Sequence, residues 1–474
     1  MNAQLVDAAP DTSLLQQFDR MRESQRREPM PSLQTRLRRL DALRTLVEEN
    51  EERIADAISA DFGNRSRFEI GLSEVFVSLA EIKHAQRYLR SWMRPRRVRT
   101  PWYLLPGRAR VLRQPKGIVG IISPWNYPLF LAIPPVAGAM AAGNRVLLKP
   151  SELTPRFSEL LQQLVSAHFG EDEFAVVLGG VEVGQEFSQL PFDHLFFTGS
   201  TAVGREIAKA AAPNLTPVTL ELGGKSPAIL GGDVDLRKAA TSIAIGKLLN
   251  CGQTCIAPDY CLVPRWQVDG FAHQLAEEAK RMYPEAAANP SYTSVPTVRH
   301  FQRLLSLVEE AQQGGAHVIA IGDADPGSRR LPLHIVVDPP HDSALMREEI
   351  FGPVMPVVAY DDIGDAIAMV NAAPRPLALY FFGDDRREQQ RVLCETVSGG
   401  VTINDTLWHI AHPALPFGGS GDSGIGAYHG EHSFRLFSHE KGVYEQSKLS
   451  AAPLLHPPYG RIAELTLKLL RRWG

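Results

Sequence analysis

The sequence predicts an α/β protein whose core is a parallel, doubly wound sheet. Short apolar runs alternate with helical stretches from residue 117 to about 230, and a second alternating region extends from about 225 to 425. The runs are apolar at successive positions, which is typical of strands covered by helices on both faces. The 474 residues leave room for about three domains. Apolar residues make up 44% of the chain and charged residues 22%, which excludes disordered, collagen-like and disulfide-scaffold classes.

The N-terminal part is predicted to be helical after a polar segment at residues 1–31. The apolar residues that follow recur at three- and four-residue spacing, as on one face of a helix. They are Leu37, Leu40, Leu43, Leu46, Val47, Ile54 and Ile58. Residues 94–114 are rich in Arg, Pro and Gly and separate these helices from the first buried strand, so we interpret them as a projecting hairpin.

Strands and helices then follow in order along the chain. Apolar runs predict strands at 117–122, 145–148, 175–178, 194–197, 333–337 and 353–360. Helical stretches are predicted around 155–168, 199–212 and 365–371. This alternation is typical of nucleotide-binding sheets, whose ligands bind at the carboxyl ends of the strands.

Charge and cysteine content exclude several classes of function. The net charge of −3 provides no basic field for nucleic acid. The four cysteines are too few for a disulfide framework and indicate a reducing compartment. The first residues lack the pattern of an export signal, and the longest apolar stretch, 129–143, is interrupted by two prolines. We therefore expect a cytoplasmic protein without a membrane-spanning helix.

A glycine-containing turn joins the predicted strand at 194–197 to the following helix. Gly199, Ser200 and Gly204 lie in this turn, where free main-chain N–H groups and the helix dipole favour a phosphate. The spacing is not the three-glycine dinucleotide fingerprint. An ordinary strand-to-helix loop remains the alternative.

Lys149 and Glu152 follow another apolar strand, at the sheet edge where ligands of open α/β sheets bind. A cation and a carboxylate at this edge could bind ribose hydroxyls. The alternative is a strand cap followed by a surface ion pair.

Two thiols, Cys251 and Cys255, lie four residues apart beside a glycine. The spacing, without a nearby histidine, argues against zinc, and no metal site is predicted. A nucleophilic cysteine needs a lowered pKa or an adjacent base, and neither is visible in the local sequence. Buried, unreactive thiols are the alternative.

Two polar residues near predicted strand ends complete the candidate chemistry. Glu221 ends a short apolar strand before two glycines and could act as a general base. Asn126 lies in an aromatic, proline-bounded loop, and its amide could donate to an oxyanion. A satisfied surface carboxylate and a tight aromatic turn are the respective alternatives.

The order of these motifs resembles the aldehyde dehydrogenase superfamily over roughly residues 30 to 445. The motifs are Ser-Pro-Trp-Asn-Tyr-Pro at 123–128, Lys-Pro-Ser-Glu at 149–152, Phe-Thr-Gly-Ser at 197–200, Glu-Leu-Gly-Gly-Lys-Ser-Pro at 221–227, Gly-Gln-Thr-Cys at 252–255, Glu-Glu-Ile-Phe-Gly-Pro at 348–353 and Pro-Phe-Gly-Gly at 416–419. Residues 255–260, 376–380, 401–405 and 426–430 are most similar to the class 3 branch, which includes coniferyl-aldehyde dehydrogenases.

The resemblance implies a mechanism through a covalent thioester. Cys255 matches the family nucleophile, which attacks the aldehyde to form a thiohemiacetal. Its oxyanion would lie between the Asn126 amide and the Cys255 main-chain N–H. Glu221 matches the general base that activates water to hydrolyse the thioester, and it could also deprotonate Cys255. An acylating enzyme that transfers the acyl group to coenzyme A, and a non-enzymatic structural role, are the alternatives.

The resemblance also implies a variant Rossmann domain that binds NAD. Lys149 and Glu152 would bind the adenosine ribose, Ser200 the pyrophosphate, and Glu349 and Phe351 the nicotinamide riboside. Glu152 should favour NAD because its carboxylate repels a 2′-phosphate, although class 3 relatives leave NADP possible. The matching cofactor positions are Trp125, Lys149, Glu152, Gly199, Ser200, Gly204, Leu222, Glu349 and Phe351.

Substrate contacts are predicted at aromatic residues. Tyr127 and Trp408, with Trp125, could line a tunnel for aromatic aldehydes such as coniferyl aldehyde or for medium- and long-chain aliphatic aldehydes. They could equally be core residues. His409 and His412 depart from the apolar or neutral residues expected there.

The resemblance implies three parts. Residues 1–97 and 116–224 form the NAD(P)-binding domain, 225–425 the α/β catalytic domain, and 98–115 with 426–474 an oligomerisation hairpin and tail. A homodimer or a dimer of dimers is expected. The last segment places Ile462, Leu465, Leu469 and Trp473 on one face of a basic helix. This helix could cover a partner's substrate entrance, which we favour, or make peripheral contact with an anionic membrane.

Overall fold

A computed structural model describes residues 13–473. The first twelve residues and residue 474, which belong to the predicted cofactor domain and tail, lie outside this description. The α-helices are α1 (Leu14–Arg27), α2 (Leu33–Glu48), α3 (Glu51–Phe62), α4 (Arg67–Ile70), α5 (Val77–Trp92), α6 (Ile133–Ala142), α7 (Pro155–His168), α8 (Val181–Ser188), α9 (Thr201–Ala211), α10 (Leu236–Leu248), α11 (Val268–Met282), α12 (Val298–Gln313), α13 (Ala344–Arg347), α14 (Ile363–Ala372), α15 (Arg386–Glu395), α16 (Trp408–Ala411), α17 (Gly430–Leu436) and α18 (Arg461–Trp473).

The strands form three sheets. They are β1 (Arg96–Val98), β2 (Arg108–Pro115), β3 (Ile118–Ile122), β4 (Arg145–Lys149), β5 (Phe174–Val176), β6 (His194–Thr198), β7 (Val218–Glu221), β8 (Pro227–Leu230), β9 (Tyr260–Pro264), β10 (His317–Ala320), β11 (His334–Val337), β12 (Val354–Tyr360), β13 (Ala378–Phe382), β14 (Gly400–Ile403), β15 (Gly424–Ile425) and β16 (Ser438–Glu445).

The first sheet has six strands in the order β15-β7-β6-β3-β4-β5. Strands β3 to β7 are parallel, and β15 pairs with β7 in the antiparallel direction. All residues of β4 and β6 are buried, which explains why their three central residues are apolar. The carboxyl ends of β3, β4, β6 and β7 therefore meet at one edge of the sheet.

The second sheet has seven strands in the order β10-β11-β12-β9-β8-β13-β14, and all except β10 are parallel. A third, antiparallel sheet joins β1, β2 and β16. These sheets confirm the predicted fold class of two α/β units and a small additional element. The assignment of cofactor, catalytic and oligomerisation roles to them stays a prediction.

Segments after residue 410 return to the first sheet. Strand β15 pairs with β7, and α17 packs against α5 and α6. This return places residues 428 and 429, which precede α17, beside the first sheet's edge.

The polar N-terminal segment contains a helix that the apolar spacing did not reveal. Helix α1 begins after Ser13, whose hydroxyl accepts a hydrogen bond from the main-chain N–H of Gln16. It buries Phe18 and Met21 against the first sheet. So few buried apolar residues in a charged helix give a weak periodic signal.

The described helices include none that is long and apolar enough to cross a membrane. The longest apolar segment of the sequence instead forms α6, whose residues are all buried inside the protein. Its apolar character is explained by packing on every side.

His194, at the start of β6, is buried and electrically neutral. Its Nδ1 lies 2.8 Å from Lys116 Nζ, and its Nε2 lies 2.9 Å from Thr219 Oγ1. An ammonium only donates, so Nδ1 accepts and Nε2 carries the proton. Burial, together with the Lys116 charge, lowers the pKa of His194 to about 3.

We predict that His194 contributes to acid sensitivity. Below pH 6.5 the imidazole of His194 binds a proton in the unfolded state but not in the folded state. The contribution of His194 to the free energy of unfolding is therefore fully present above that pH and is lost as the pH falls toward 3. At pH 5 the loss should be about 2 kcal/mol relative to pH 7. In urea unfolding, the free energy of unfolding of His194→Gln should differ between pH 5 and pH 7 by less than that of the wild type, and the reduction should equal this amount. An unchanged difference, equal to that of the exposed control His439→Gln, would contradict the assignment.

Candidate active site

The loop that carries Cys255 is held in an unusual backbone conformation. After α10, Asn250 and Cys251 have φ values of 52° and 55°, and Gly252 has a φ of 72°. A Cβ on Gly252 would lie 2.5 Å from the carbonyl oxygen of Gly352. Glycine is therefore required, and the Cys255 loop lies directly against the segment that contains Glu349 and Phe351.

Cys255 is partly buried and interacts electrostatically with two acidic side chains. Burial, followed by the charges of Glu349 and Glu221, raises the pKa of the Cys255 thiol to about 12, although the main-chain N–H groups of Cys255 and Ile256 oppose this shift. The thiol is therefore protonated at neutral pH and needs a base to become a nucleophile.

The neighbouring thiol, Cys251, has a different environment. It is fully buried, and its Sγ lies 3.6 Å from the Tyr292 hydroxyl. Burial also raises the pKa of Cys251 to about 12. Of the two thiols in the motif, Cys255 interacts electrostatically with Glu221 and Glu349, whereas the carboxyl group that acts on Cys251 is Glu69.

Glu221 ends β7 with its carboxyl group inside the protein. Its main chain is fixed from two sides, because Gly424 pairs with it and the N–H of Gly199 donates to its carbonyl oxygen at 3.0 Å. The side chain is 2% exposed, and neither carboxyl oxygen has a hydrogen-bond partner among residues 13–473. Burial raises the pKa of Glu221 well above its ordinary value.

The Asn126 side chain faces the Cys255 loop. Its Nδ2 donates to the carbonyl oxygen of Gln253 at 3.1 Å. A carboxamide nitrogen has two hydrogens, so one N–H remains for a ligand. The main-chain carbonyl of Asn126 accepts from Asn250 Nδ2 at 2.9 Å, which ties the Asn126 loop to the same turn.

A buried ion cluster that the sequence analysis did not identify fixes both loops. Arg65 donates to Glu74 Oε1 at 2.6 Å and to the Asn126 carbonyl at 3.3 Å. Glu74 Oε2 accepts the N–H groups of Leu129 and Phe130 at 3.0 and 2.8 Å. These bonds fix the backbone on both sides of Tyr127.

The third member of the cluster, Glu69, reaches the Cys255 loop. Its Oε1 accepts the N–H of Asn250 at 3.2 Å, and its Oε2 accepts the Thr293 hydroxyl at 2.7 Å and lies 3.9 Å from Arg65 Nε. Burial raises the pKa of both Glu69 and Glu74, while the Arg65 charge opposes that shift. One buried cation thus connects the Asn126 loop with the Cys255 loop.

The predicted substrate residues occupy different environments. The Tyr127 hydroxyl lies 2.6 Å from Thr254 Oγ1, next to Cys255, and the Arg65 guanidinium lies 4.7 Å from the centre of the Tyr127 ring. Trp408, by contrast, is 65% exposed, and its indole N–H donates to Asp405 at 2.8 Å. Their roles in binding substrate stay predictions.

Lys149 is the last residue of β4. Its side chain is buried, and its ammonium group has polar partners. Its Nζ donates to Glu152 Oε2 at 3.1 Å and to the Pro150 carbonyl at 3.2 Å. Glu152 is exposed, so its carboxylate is accessible beside this buried cation. The pair lies at the carboxyl edge of the first sheet, where a ribose would bind.

The turn before α9 provides further polar groups at the carboxyl edge of the first sheet. The Ser200 hydroxyl caps the helix by accepting the N–H of Val203 at 3.4 Å. Gly204 allows close packing, because a Cβ there would lie 2.6 Å from Leu222 Cδ2. Two buried hydroxyls near these strand ends, those of Ser123 and Thr198, lack partners within the described chain.

Glu349 and Phe351 lie in the segment that packs against the Cys255 loop at Gly252. A Cβ on Gly223 would lie 2.2 Å from Glu349 Oε2, so the glycine admits this carboxyl group. Burial, followed by the Asp259 charge, raises the pKa of Glu349 to about 8. Phe351 has a φ of 55°, and its carbonyl accepts a 2.8 Å hydrogen bond from His300 Nε2. Trp125 lies 5.6 Å from the Phe351 ring.

These contacts bring most of the predicted residues to one region. Cys255, Glu221 and Glu349 interact electrostatically, and Asn126 reaches the Cys255 loop through Gln253. Unpartnered buried hydroxyls, a buried cation and a capped helix at one sheet edge fit the polar groups of a dinucleotide. The individual roles of these residues stay predictions.

Comparison with known proteins identifies the relatives of this chain. Residues 6–443 match the model of the aldehyde dehydrogenase family. A protein from Pseudomonas aeruginosa named probable coniferyl aldehyde dehydrogenase is 48% identical over 96% of both chains. The substrate-bound structure of Staphylococcus aureus AldH has a TM-score of 0.93 at 37% identity, covering 97% of this chain and 99% of that one. A Mycobacterium tuberculosis aldehyde dehydrogenase complexed with NAD+ has a TM-score of 0.81 at 29% identity, covering 90% of this chain and 88% of that one.

We predict that Arg65→Met destabilises the fold and lowers activity. Removal of one partner from a buried ion pair typically costs about 3–5 kcal/mol, because the remaining charge is left uncompensated. Urea unfolding and steady-state activity measure the two effects. Arg67→Met, which removes an exposed partner of Asp56, is the control and should leave both unchanged. If the two variants unfolded alike, the buried cluster would not hold the loops.

Proposed function

Because this chain belongs to the aldehyde dehydrogenase family and is an enzyme that oxidises aldehydes with NAD, we propose that its substrates are aromatic aldehydes such as coniferyl aldehyde, or medium- and long-chain aliphatic aldehydes. The product is the carboxylic acid. The observation that carries the proposed chemistry is that Cys255 interacts electrostatically with both Glu221 and Glu349 and lies in the loop that the Asn126 amide contacts through the Gln253 carbonyl.

In the proposed mechanism the thiol proton of Cys255 passes to the carboxylate form of Glu221, which releases it to water, and the thiolate attacks the carbonyl carbon. The resulting alkoxide accepts the free N–H of Asn126 and the main-chain N–H of Cys255. A donor placed at a developing oxyanion typically contributes about 3–4 kcal/mol to the transition state. Collapse of the alkoxide leaves a thioester on Cys255. Bound NAD supplies the hydride acceptor for this step.

Glu221 then removes a proton from the water that hydrolyses the thioester. Its carboxyl group is neutral while buried without partners. A water that donates a hydrogen bond to it stabilises the carboxylate and lowers its pKa toward the working range. The same buried position makes the carboxylate, once formed, a strong base.

The residues at the sheet edge fit the cofactor in the proposed assignment. Lys149 and Glu152 bind the adenosine ribose, and the N-terminal turn of α9 with Ser200 faces the pyrophosphate. Glu349 binds the nicotinamide ribose. The exposed Glu152 carboxylate repels a 2′-phosphate, which supports NAD over NADP.

The aromatic side chains near Cys255 support the proposed substrate class. Tyr127, Phe130 and Leu131 form a buried cluster, against which Val77 and Ile410 pack. Trp408, two residues before Ile410 in the sequence, lies at the surface. A phenyl ring or an alkyl chain would gain about 25 cal/mol for each Å² of apolar surface removed from water there.

We predict that the protein forms NADH and acid from coniferyl aldehyde and hexanal with higher kcat/KM than from acetaldehyde. Cys255→Ala should abolish turnover, and Glu221→Gln should lower kcat by about 100-fold or more, because general-base catalysis contributes about 10²–10⁴. Cys394→Ser, at an exposed cysteine, is the matched control. NADH absorbance and acid chromatography measure the outcome. A preference for acetaldehyde would contradict the substrate class, and acid formation that requires coenzyme A would establish the acylating alternative.

We further propose that the chain forms at least a dimer in the cytoplasm and that α18 covers the substrate entrance of the partner subunit. All four cysteines are free in the described chain, which supports a reducing compartment. Ile462, Leu465 and Leu469 are more than half exposed on α18. The Trp102 indole N–H donates to the Trp473 carbonyl at 2.8 Å, so the helix end is tied to the hairpin between β1 and β2.

We predict that deletion of residues 456–474 changes the relative kcat/KM for long-chain and short-chain aldehydes without changing sedimentation with vesicles of phosphatidylcholine and phosphatidylserine. Docking of α18 at the substrate entrance of the partner subunit should depend on the apolar face of the helix and not on its charged side chains. Leu465→Ser with Leu469→Ser should therefore reproduce the deletion, and Arg461→Ser with Lys468→Ser should not. Loss of vesicle sedimentation in both the deletion and the charge variant would establish membrane contact instead.

A further inference from the structure

Three buried arginines lie together at the amino end of β4, outside the site described above. Arg36 and Arg39 are on successive turns of α2, and Arg145 is the first residue of β4. Each of the three is at most 2% exposed. We call them the arginine cluster. Removal of a guanidinium from water is costly unless the group is paired, so the partners of each member need to be identified.

Contacts show that the members of the arginine cluster are neighbours. Glu28 Oε2 lies 3.5 Å from Arg39 Nη2 and 3.7 Å from Arg145 Nη2, so one carboxylate oxygen lies between two guanidinium groups. Arg36 covers the turn before β4, because a Cβ on Gly143 would lie 2.7 Å from its Cζ. Burial, followed by the charge of Arg39, lowers the pKa of Arg36 to about 10 and also lowers the pKa of Arg145. Positive charge is therefore concentrated here.

Arg36 is compensated by main-chain carbonyl groups. Its Nε donates to the carbonyl oxygen of Pro31 at 3.0 Å. Its Nη1 donates to the carbonyl oxygens of Ala141 and Ala142, at 3.0 and 2.7 Å. These two residues end α6, where the helix dipole favours a cation. The charge of Arg36 therefore has a local partner.

Arg39 and Arg145 are only partly satisfied. Arg39 Nε donates to Glu173 Oε1 at 3.0 Å, and Arg145 Nη2 donates to the carbonyl oxygen of Ser24 at 3.0 Å. Arg39 Nη1, Arg145 Nε and Arg145 Nη1 are buried and have no hydrogen-bond partner in residues 13–473. Buried donors are nearly always paired in native proteins, so these three nitrogens indicate a ligand.

The carboxylates nearby are shared among several cations. Glu173 also accepts from the exposed Arg38 at 2.6 Å. Within the described chain, the carboxylate oxygen nearest to Arg145 is that of Glu28, at 3.7 Å, and the Glu28 side chain is 44% exposed. The charge of Arg145 thus has no carboxylate at hydrogen-bond distance. A water could satisfy the free N–H groups but would leave this buried charge uncompensated, whereas an anion would satisfy both.

We propose that the arginine cluster binds one small inorganic anion, such as chloride, on the unpartnered N–H groups of Arg39 and Arg145. A spherical anion accepts hydrogen bonds from any direction, so donors on two guanidinium groups can share it. Bound there, it connects α1, which contributes Ser24 and its C-cap Glu28, with α2 and β4. Lys149 lies at the other end of β4, so the anion acts on the stability of the first sheet and does not touch the proposed cofactor edge.

Urea unfolding of the full chain tests the site in solution. Potassium chloride replaces potassium gluconate at constant ionic strength, so the screening of surface charges does not change. The urea midpoint of the wild type should rise with chloride and level off as one site fills, because the anion binds the folded chain. Bromide should have the same effect. A rise that does not level off, or that is larger with sulfate, would indicate salt exclusion from the protein surface and would overturn the proposal.

Arg145→Met tests whether the arginine cluster is the site. Methionine keeps an apolar stem and removes the guanidinium. The chloride concentration at half of the rise should increase by about 10-fold or more, as expected for the loss of a hydrogen bond to a charged group. Arg38→Met is the matched control, because Arg38 also binds Glu173 but its side chain is 59% exposed. If Arg145→Met kept the chloride dependence of the wild type and of this control, the assignment would be wrong.

Hydrogen exchange tests the proposed connection to α1. Chloride should slow the exchange of main-chain amides in residues 14–28 of the wild type, because Ser24 and Glu28 contact the arginine cluster. Amides of α15, which belongs to the second α/β unit, should be unaffected. Equal slowing in both helices would point to a general salt effect and contradict the site.

Crystals of the wild type give a test that does not depend on a variant that folds. Bromide scatters anomalously, so crystals grown in bromide should show an anomalous peak within about 3.5 Å of nitrogens of Arg39 or Arg145. Water or no density at this position, at a bromide concentration that saturates the urea midpoint, would overturn the proposal.

Discussion

The buried guanidinium of Arg65 holds together the two loops on which the proposed chemistry depends. It binds Glu74, which fixes the backbone of the Asn126 loop, and it lies beside Glu69, which fixes the turn before Cys255. The two loops are more than a hundred residues apart in the chain. Their relative position must nevertheless be accurate to within an ångström for an oxyanion between them to be stabilised.

The second constraint is the neutrality of the site. Cys255, Glu221 and Glu349 are close enough for the charge of each carboxylate to oppose the thiolate, and burial opposes all three charges. The resting protein therefore holds these groups protonated near neutral pH. In the proposed mechanism, reactivity therefore depends on bound molecules. A bound water donates a hydrogen bond that stabilises the Glu221 carboxylate, and the N–H groups of Asn126 and Cys255 stabilise the alkoxide once the aldehyde has reacted. Such a site limits the reactivity of its thiol in the absence of substrate.

The sequence predicted the parts of this molecule that depend on local pattern. The bounds of α7 and of the six predicted strands agree within two residues because apolar strands and a proline at the first helical position are local signals. Glu221 and Lys149 could be placed at one sheet edge because parallel strands end on the same side. Arg65, Glu69 and Glu74 were missed, since their role comes from contacts with residues 126–130, 250 and 293, which no spacing shows. Tyr127 and Trp408 looked alike in sequence, yet one is buried beside Thr254 and the other is mostly exposed.

The location of the unsatisfied polar groups follows from the same topology. Glu221, Thr198 and Ser123 end or follow strands of the first sheet, where the backbone leaves the ladder, and Gly424 and Ile425 of the returning segment pair with β7 there. Tyr428 lies in that returning segment, where its backbone pairs with Phe417. A segment distant in sequence therefore brings its own hydroxyl within electrostatic range of Glu221. The same packing removes the direct contact of the Glu221 carboxyl group with bulk solvent, so in the proposed mechanism the water that Glu221 activates has to be bound inside the site.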